Sequence, residues 1–161
     1  MLGIQKSTKK QVAVKIIKKT KLTKQQINAI RDEIQVYSCA QHLNVVKLED
    51  SFETFDRFYL VFELHSTTHL EKYIESVKDQ LDEPMVRDFI MKIAQTVNYL
   101  HDMGVFVRNL DLRSFLMSET TKDGQLQGAL PRLSRLDAAK VMGIGTGEYC
   151  LDITGDLRFQ A

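Results

Sequence analysis

The chain has 161 residues, of which 43% are hydrophobic and 27% charged, with a formal net charge of +1 at pH 7. That length fits one modest domain and the composition is that of an ordinary globular protein. The near-neutral balance excludes wholesale attraction to nucleic acid or membrane surfaces, and no apolar run approaches the roughly 20 residues that span a bilayer.

Lys6, Lys9, Lys10, Lys15, Lys18, Lys19, Lys21 and Lys24 precede any acidic residue. Such a run reads as a solvated hairpin and loop, with a patch for an anionic partner as the alternative. Leu2-Gly3-Ile4 enters the hairpin, and Lys6 to Lys10 form its turn. The short β-branched run from Gln11 to Ile17 predicts a buried strand. Thr23 can cap a helix that starts near Lys24 and runs to about Gln41, with Ile27, Ile30, Ile34 and Tyr37 on one apolar face. Val45 to Leu48 and Phe58 to Phe62 predict two further strands, with a turn over Glu53 to Asp56.

After Phe62 the pattern changes to helix. His69 to Val77 is a short amphipathic segment. Pro84 suits a helix start, and Val86, Phe89, Ile90, Ile93, Val97 and Leu100 mark one face of a long helix ending near Gly104. Two short strands, near Phe115–Met117 and Leu130–Leu133, flank a polar loop from Ser118 to Gly128. Beyond Lys140 the pattern is irregular. Strands first and helices afterwards predict an α+β fold. Cys39 and Cys150 have no metal-binding spacing, which suits a reduced, cytoplasmic protein.

Several short motifs follow one another in a meaningful order. Val12-Ala13-Val14-Lys15 reads as V-A-I-K, Glu33 stands on the first long helix, and His42-Leu43-Asn44 reads as an H-P-N turn. Tyr99 to Gly104 closes the long helix, and Phe106 to Leu116 parallels H-R-D-L-x-x-x-N. Leu133 to Lys140 parallels x-x-D-F-G-x-A-K. Together these resemble the protein-kinase superfamily over essentially the whole chain, nearest in pattern to calcium/calmodulin-dependent-type serine/threonine kinases. The resemblance implies a bilobal kinase fold that is incomplete. Residues 1–62 would be the small lobe without its Gly-rich loop, 63–66 the hinge, and 67–161 the start of the larger lobe through the activation-segment equivalent. A Gly-rich loop is expected before Leu2 and a Pro-Glu pair after Ala161, so a larger assembly or chain is expected around this one.

The resemblance also implies roles. Lys15 would pair with phosphates and with Glu33, although alone the two would read as a surface ion pair between strand and helix. Ala13 and Leu116 would sandwich an adenine, Phe62 would be the gatekeeper, and Glu63, Leu64 and His65 would form the hinge. Tyr37, Leu48, Val107 and Leu136 would stack between the lobes. The position of the ribose-binding acid is His69, to which no metal or catalytic role is assigned.

The reactive positions depart from the pattern. Asn109 stands for the catalytic aspartate, Ser114 for the metal-binding asparagine, and Arg135 for the aspartate of D-F-G. Asp111 occupies the site of a catalytic lysine, and Asp156 that of a steadying threonine. Slipping the last motif by two residues would make Asp137 the metal ligand, but would put Arg135 on a buried strand position. An amide accepts no proton at neutral pH, and a guanidinium repels a divalent ion. No functional catalytic residue and no metal site are therefore expected. The chain reads as a pseudokinase scaffold or allosteric subunit that binds other proteins, in the cytoplasm or on a complex or the cytoskeleton. Alternatives are a weak or atypical ATP-dependent kinase using Asp111 or Asp137, and a nucleotide sensor without turnover. No cofactor is required in the leading reading, though ATP without magnesium would suit a pocket in which Arg135 meets phosphate. Thr146, Tyr149 and Thr154 are candidate modification sites or ordinary loop hydroxyls.

Overall fold

The computed structural model describes residues 1–122 and 125–142. Four antiparallel strands form the first layer: β1 (Leu2–Ile4), β2 (Gln11–Lys18), β3 (Leu48–Glu53) and β4 (Arg57–Glu63), in the order β1-β2-β4-β3. The pairing of Ala13 with Phe62, Lys15 with Leu60 and Ile17 with Phe58 puts these six side chains on one face, because opposed residues in an antiparallel ladder share a face. Phe58, Leu60 and Phe62 are buried there. Strand β4 alternates buried and half-buried residues along its length, the signature of a half-covered sheet.

Helix α1 (Lys24–Cys39) covers that face with Val36, Tyr37 and the following Ala40. It begins where the expected cap lies. Thr23 Oγ1 accepts from the Gln26 amide at 3.2 Å, and the Gln26 side chain accepts from the Thr23 amide at 2.9 Å. Two of the orphan donors at the helix start are thereby satisfied. Glu53 ties the far end of β3 to α1, accepting from Arg31 at 2.8 Å and from Lys19 at 2.8 Å.

Helices α2 (Leu70–Val77) and α3 (Glu83–Asp102) follow the sheet. Asp82 caps α3 through the Met85 amide, with Pro84 in the first turn. Gly104, at φ 72, takes the left-handed conformation that turns the chain off α3. The chain then enters β5 (Val105–Phe106), which pairs with β8 (Lys140–Val141). Between them a hairpin of β6 (Phe115–Lys122) and β7 (Gln125–Leu133) returns the chain toward the sheet.

Four expectations need correction. Strand β2 forms where expected but is not buried: only Val12 is, and Ile16 is exposed, because α1 covers one face of the sheet. Val45 and Val46 are not strand residues of the sheet; both are buried in a connection, where Val45 bridges Leu133 and the Val46 amide donates to the Leu133 carbonyl. Their apolar character reflects burial under β7, and the strand starts only at Leu48. Of the segment expected as a polar loop over 118–128, residues 118–122 and 125–128 instead extend the hairpin ladder. On α3 the packed stripe is Phe89, Thr96 and Leu100, with Met85, Ile93 and Tyr99 beside it, while Val86 and Ile90 are exposed. Phe89, Ile93 and Leu100 belong to both faces, so the helix is turned by only part of a residue step from the face that apolar spacing alone predicts.

Two outcomes are expected of this layer. Thr23→Ala lowers stability by about 1 kcal/mol in urea denaturation, since it removes the cap acceptor. The Arg31 and Lys19 hydrogen bonds hold the Glu53 carboxyl down to about 2. Its stabilising contribution is therefore complete above the ordinary carboxylate range and fades as pH falls toward 2. Carboxyl NMR titration should find that low midpoint, and Arg31→Ala should move it upward.

Candidate functional site

A cavity of about 440 Å³ opens between the sheet and the hairpin. Ala13 and Lys15 reach it from β2, Phe62 and Glu63 from β4, and Leu116 from β6. Leu64, His65 and His69 line the edge between the sheet and α2, and Ser134 and Arg135 close the inner end. Among residues singled out from sequence, Lys15, Ala13, Glu63, His65 and Leu116 thus border one space. Glu33 stands behind Lys15 rather than in the wall.

Lys15 Nζ donates to Glu33 Oε1 at 2.7 Å. The Glu33 residue is 3% exposed, whereas the lysine side chain is 44% exposed. A buried carboxylate needs a partner to offset lost hydration, so this contact fixes α1 against β2 as well as aiming the lysine.

Glu63 is also engaged. Its Oε1 accepts from the Lys47 amide at 3.0 Å and from Arg132 Nη1 at 3.1 Å, and lies 2.8 Å from His65 Nε2. Burial works to raise this carboxyl, but the His65 contact, the Lys47 amide and Arg132 outweigh it and hold it below the usual range. Arg132 was not singled out from sequence. Its position on a strand opposite Leu116 is the local signal, and its approach to Glu63 depends on the hairpin packing.

The segment after β5 carries Arg108, Asn109 and Asp111. Arg108 Nε donates to the Ala138 carbonyl at 2.7 Å, tying it to the segment before β8. Asn109 is half-buried. Ser114 is fully buried, and its hydroxyl donates to Asp111 Oδ1 at 2.8 Å while accepting from the Asp111 amide at 3.3 Å. That hydroxyl is turned into its own loop.

Arg135 completes the cluster. Its Nη1 lies 3.8 Å from Asp111 Oδ2 and its Nε lies 3.6 Å from Asp137 Oδ1. Arg113 approaches Asp111 Oδ2 at 3.7 Å. The two carboxylates flanking this end of the cavity therefore face a guanidinium, and the charge that Asp111 would turn against a phosphate is balanced by two arginines. Among the described residues, no three His, Cys, Asp or Glu side chains cluster in a way that would hold a metal ion. The Arg135 side chain is 40% exposed, so it avoids the burial that a two-residue slip in register would demand.

Tyr37 and Leu136, two of the expected stacking residues, meet directly. The Tyr37 hydroxyl donates to the Ser134 carbonyl at 2.8 Å and accepts from the Leu136 amide at 3.1 Å. Burial, with the Glu33 carboxylate adding to it, pushes the phenol far above its ordinary value. Thr146, Tyr149, Thr154 and Asp156 lie outside the described residues.

Comparison with known proteins agrees with this architecture. The protein kinase domain family model matches residues 1–146. Calcium/calmodulin-dependent protein kinase type IV of Mus musculus is 33% identical over 150 residues, covering 91% of this chain and 31% of the relative. Calcium/calmodulin-dependent protein kinase type 1 of Macrobrachium nipponense is 30% identical over 137 residues, 84% of this chain and 39% of the relative. Myosin light chain kinase A of Dictyostelium discoideum is 30% identical over 130 residues, 80% of this chain and 43% of the relative. The chain belongs to the protein kinase domain family. It spans less than half the length of these relatives.

Removing the lysine ammonium would strand the Glu33 carboxylate. Lys15→Ala is expected to cost about 1–2 kcal/mol in chemical denaturation, the lower part of the range for an unpaired buried charge because the lysine is half-exposed. Glu33→Gln, which leaves no buried charge, should cost less.

Proposed function

We propose that this chain is a kinase-fold interaction module, a pseudokinase scaffold or allosteric subunit, that does not carry out conventional phosphoryl transfer. The observation that carries the reading is the Arg135 guanidinium between Asp111 and Asp137. Kinase chemistry relies on metal ions to neutralise phosphate charge and on a carboxylate to take the substrate proton. At about 4 Å and an effective dielectric near 20, two unit charges interact by about 4 kcal/mol, so a divalent ion entering beside Arg135 meets a large penalty. Asn109 supplies no base at neutral pH. The Ser114 hydroxyl is spent on Asp111. An intracellular setting within a larger assembly, with proteins as partners, belongs to the same proposal.

A weak kinase using Asp111 or Asp137 would need that carboxylate to leave Arg135. A sensitive phosphotransfer assay on the longest natural form of the protein distinguishes the readings. The scaffold reading expects no incorporation above the Lys15→Ala control. Incorporation that the Lys15→Ala change abolishes would establish an enzyme.

The shared border of Ala13, Leu116, Lys15 and Arg135 favours one addition, retention of a nucleotide without magnesium. Lys15 and Arg135 place two cations at the inner end of the cavity, where a phosphate chain would lie. ATP should raise the melting temperature equally with magnesium or with chelator, and Arg135→Ala should abolish the shift. No shift at millimolar ATP ends this addition and leaves the scaffold reading intact.

A further inference from the structure

Arg135 is held by more than its own charge. Ser134, just before it, gives its amide to the Ser114 carbonyl at 2.8 Å and its hydroxyl to the same carbonyl at 3.1 Å. The Ser134 carbonyl and the Leu136 amide both end on one atom, the Tyr37 hydroxyl, from a residue 97 positions earlier in the chain. Tyr37 is 3% exposed, and its ring meets Phe62 edge-on with centroids 5.0 Å apart. A purely apolar side chain would supply the packing and leave the two backbone groups without this partner. The hydroxyl therefore brackets Arg135 on both sides, and it does so from the same helix that carries Glu33, one turn earlier.

We propose that Tyr37 is a latch and a positioning residue: its buried hydroxyl fixes the 134–136 backbone to α1, so that Arg135 is aimed and α1 seated with neither metal nor nucleotide. A segment that carries a metal ligand can be organised by the ion it holds. Here the phenol does that organising from within the chain. The latch stands whether or not the chain transfers phosphate. Only one consequence, a surface displayed to partners in a single constant form, rests on the proposed scaffold function.

Backbone hydrogen exchange on the full chain tests it. The Leu136 amide should be protected in the ligand-free protein, and that protection should not change when magnesium and ATP are added. Tyr37→Phe keeps the ring and should speed exchange at Leu136 by about tenfold, as loss of two buried hydrogen bonds implies. Arg135→Ala should leave Leu136 protected. The latch is overturned if Tyr37→Phe changes exchange by less than twofold, or if Arg135→Ala releases the segment as strongly. Should Tyr37→Phe fail to fold, the unaltered protein decides. A Leu136 amide that exchanges like an exposed loop until ligand is added removes the proposal, and ligand-independent protection supports it. Loss of phosphotransfer or of nucleotide binding moves neither readout, so the latch and the proposed function fail separately.

Discussion

A carboxylate buried at Glu33 is not left alone, because an unpaired charge in a buried position is costly. Its ammonium partner is on the middle of β2, so α1 has one acceptable placement on the sheet. Once α1 is seated, Val36, Tyr37 and Ala40 fall against Phe58, Leu60 and Phe62. The Tyr37 hydroxyl then meets the backbone on either side of Arg135. One ion pair thus helps set the geometry of the cavity that its own lysine borders.

The inner end of the cavity has exchanged one kind of electrostatics for another. In the family pattern, acidic and amide groups gather an external cation. Here the cation is covalent, a guanidinium with Asp111 and Asp137 around it and Arg113 beyond. A guanidinium's planar donors suit both carboxylate and phosphate. The arrangement keeps the local charge near balance.

Some elements were legible at short range. The Thr23 cap, the β-branched run of β2, Pro84 at the start of α3 and Gly104 after its end all follow from a few neighbouring residues. Other features were not. Val45 and Val46 look like strand residues because burial and strand formation select the same side chains, and only the approach of Leu133 separates the two. The exposed position of Val86 and Ile90 arises because α3 presents the Phe89, Thr96 and Leu100 stripe to its neighbours. Thr96 is polar and so escaped an apolar count, although its hydroxyl is satisfied within the helix by the Lys92 carbonyl at 2.7 Å.

By itself, the order of motifs determined the family, the pairing of Lys15 with Glu33, and the identity of the groups standing at 109, 114 and 135. Those are properties of residue type and spacing, which the linear chain carries in full. Tertiary structure alone decided that Asp111 and Asp137 meet Arg135, that Arg132 clamps Glu63, and that one phenol hydroxyl holds two peptide groups nearly a hundred residues away. The reason is physical. A side chain declares what it can bond with, but the partner it finds depends on which backbone segments packing brings within about 3–4 Å.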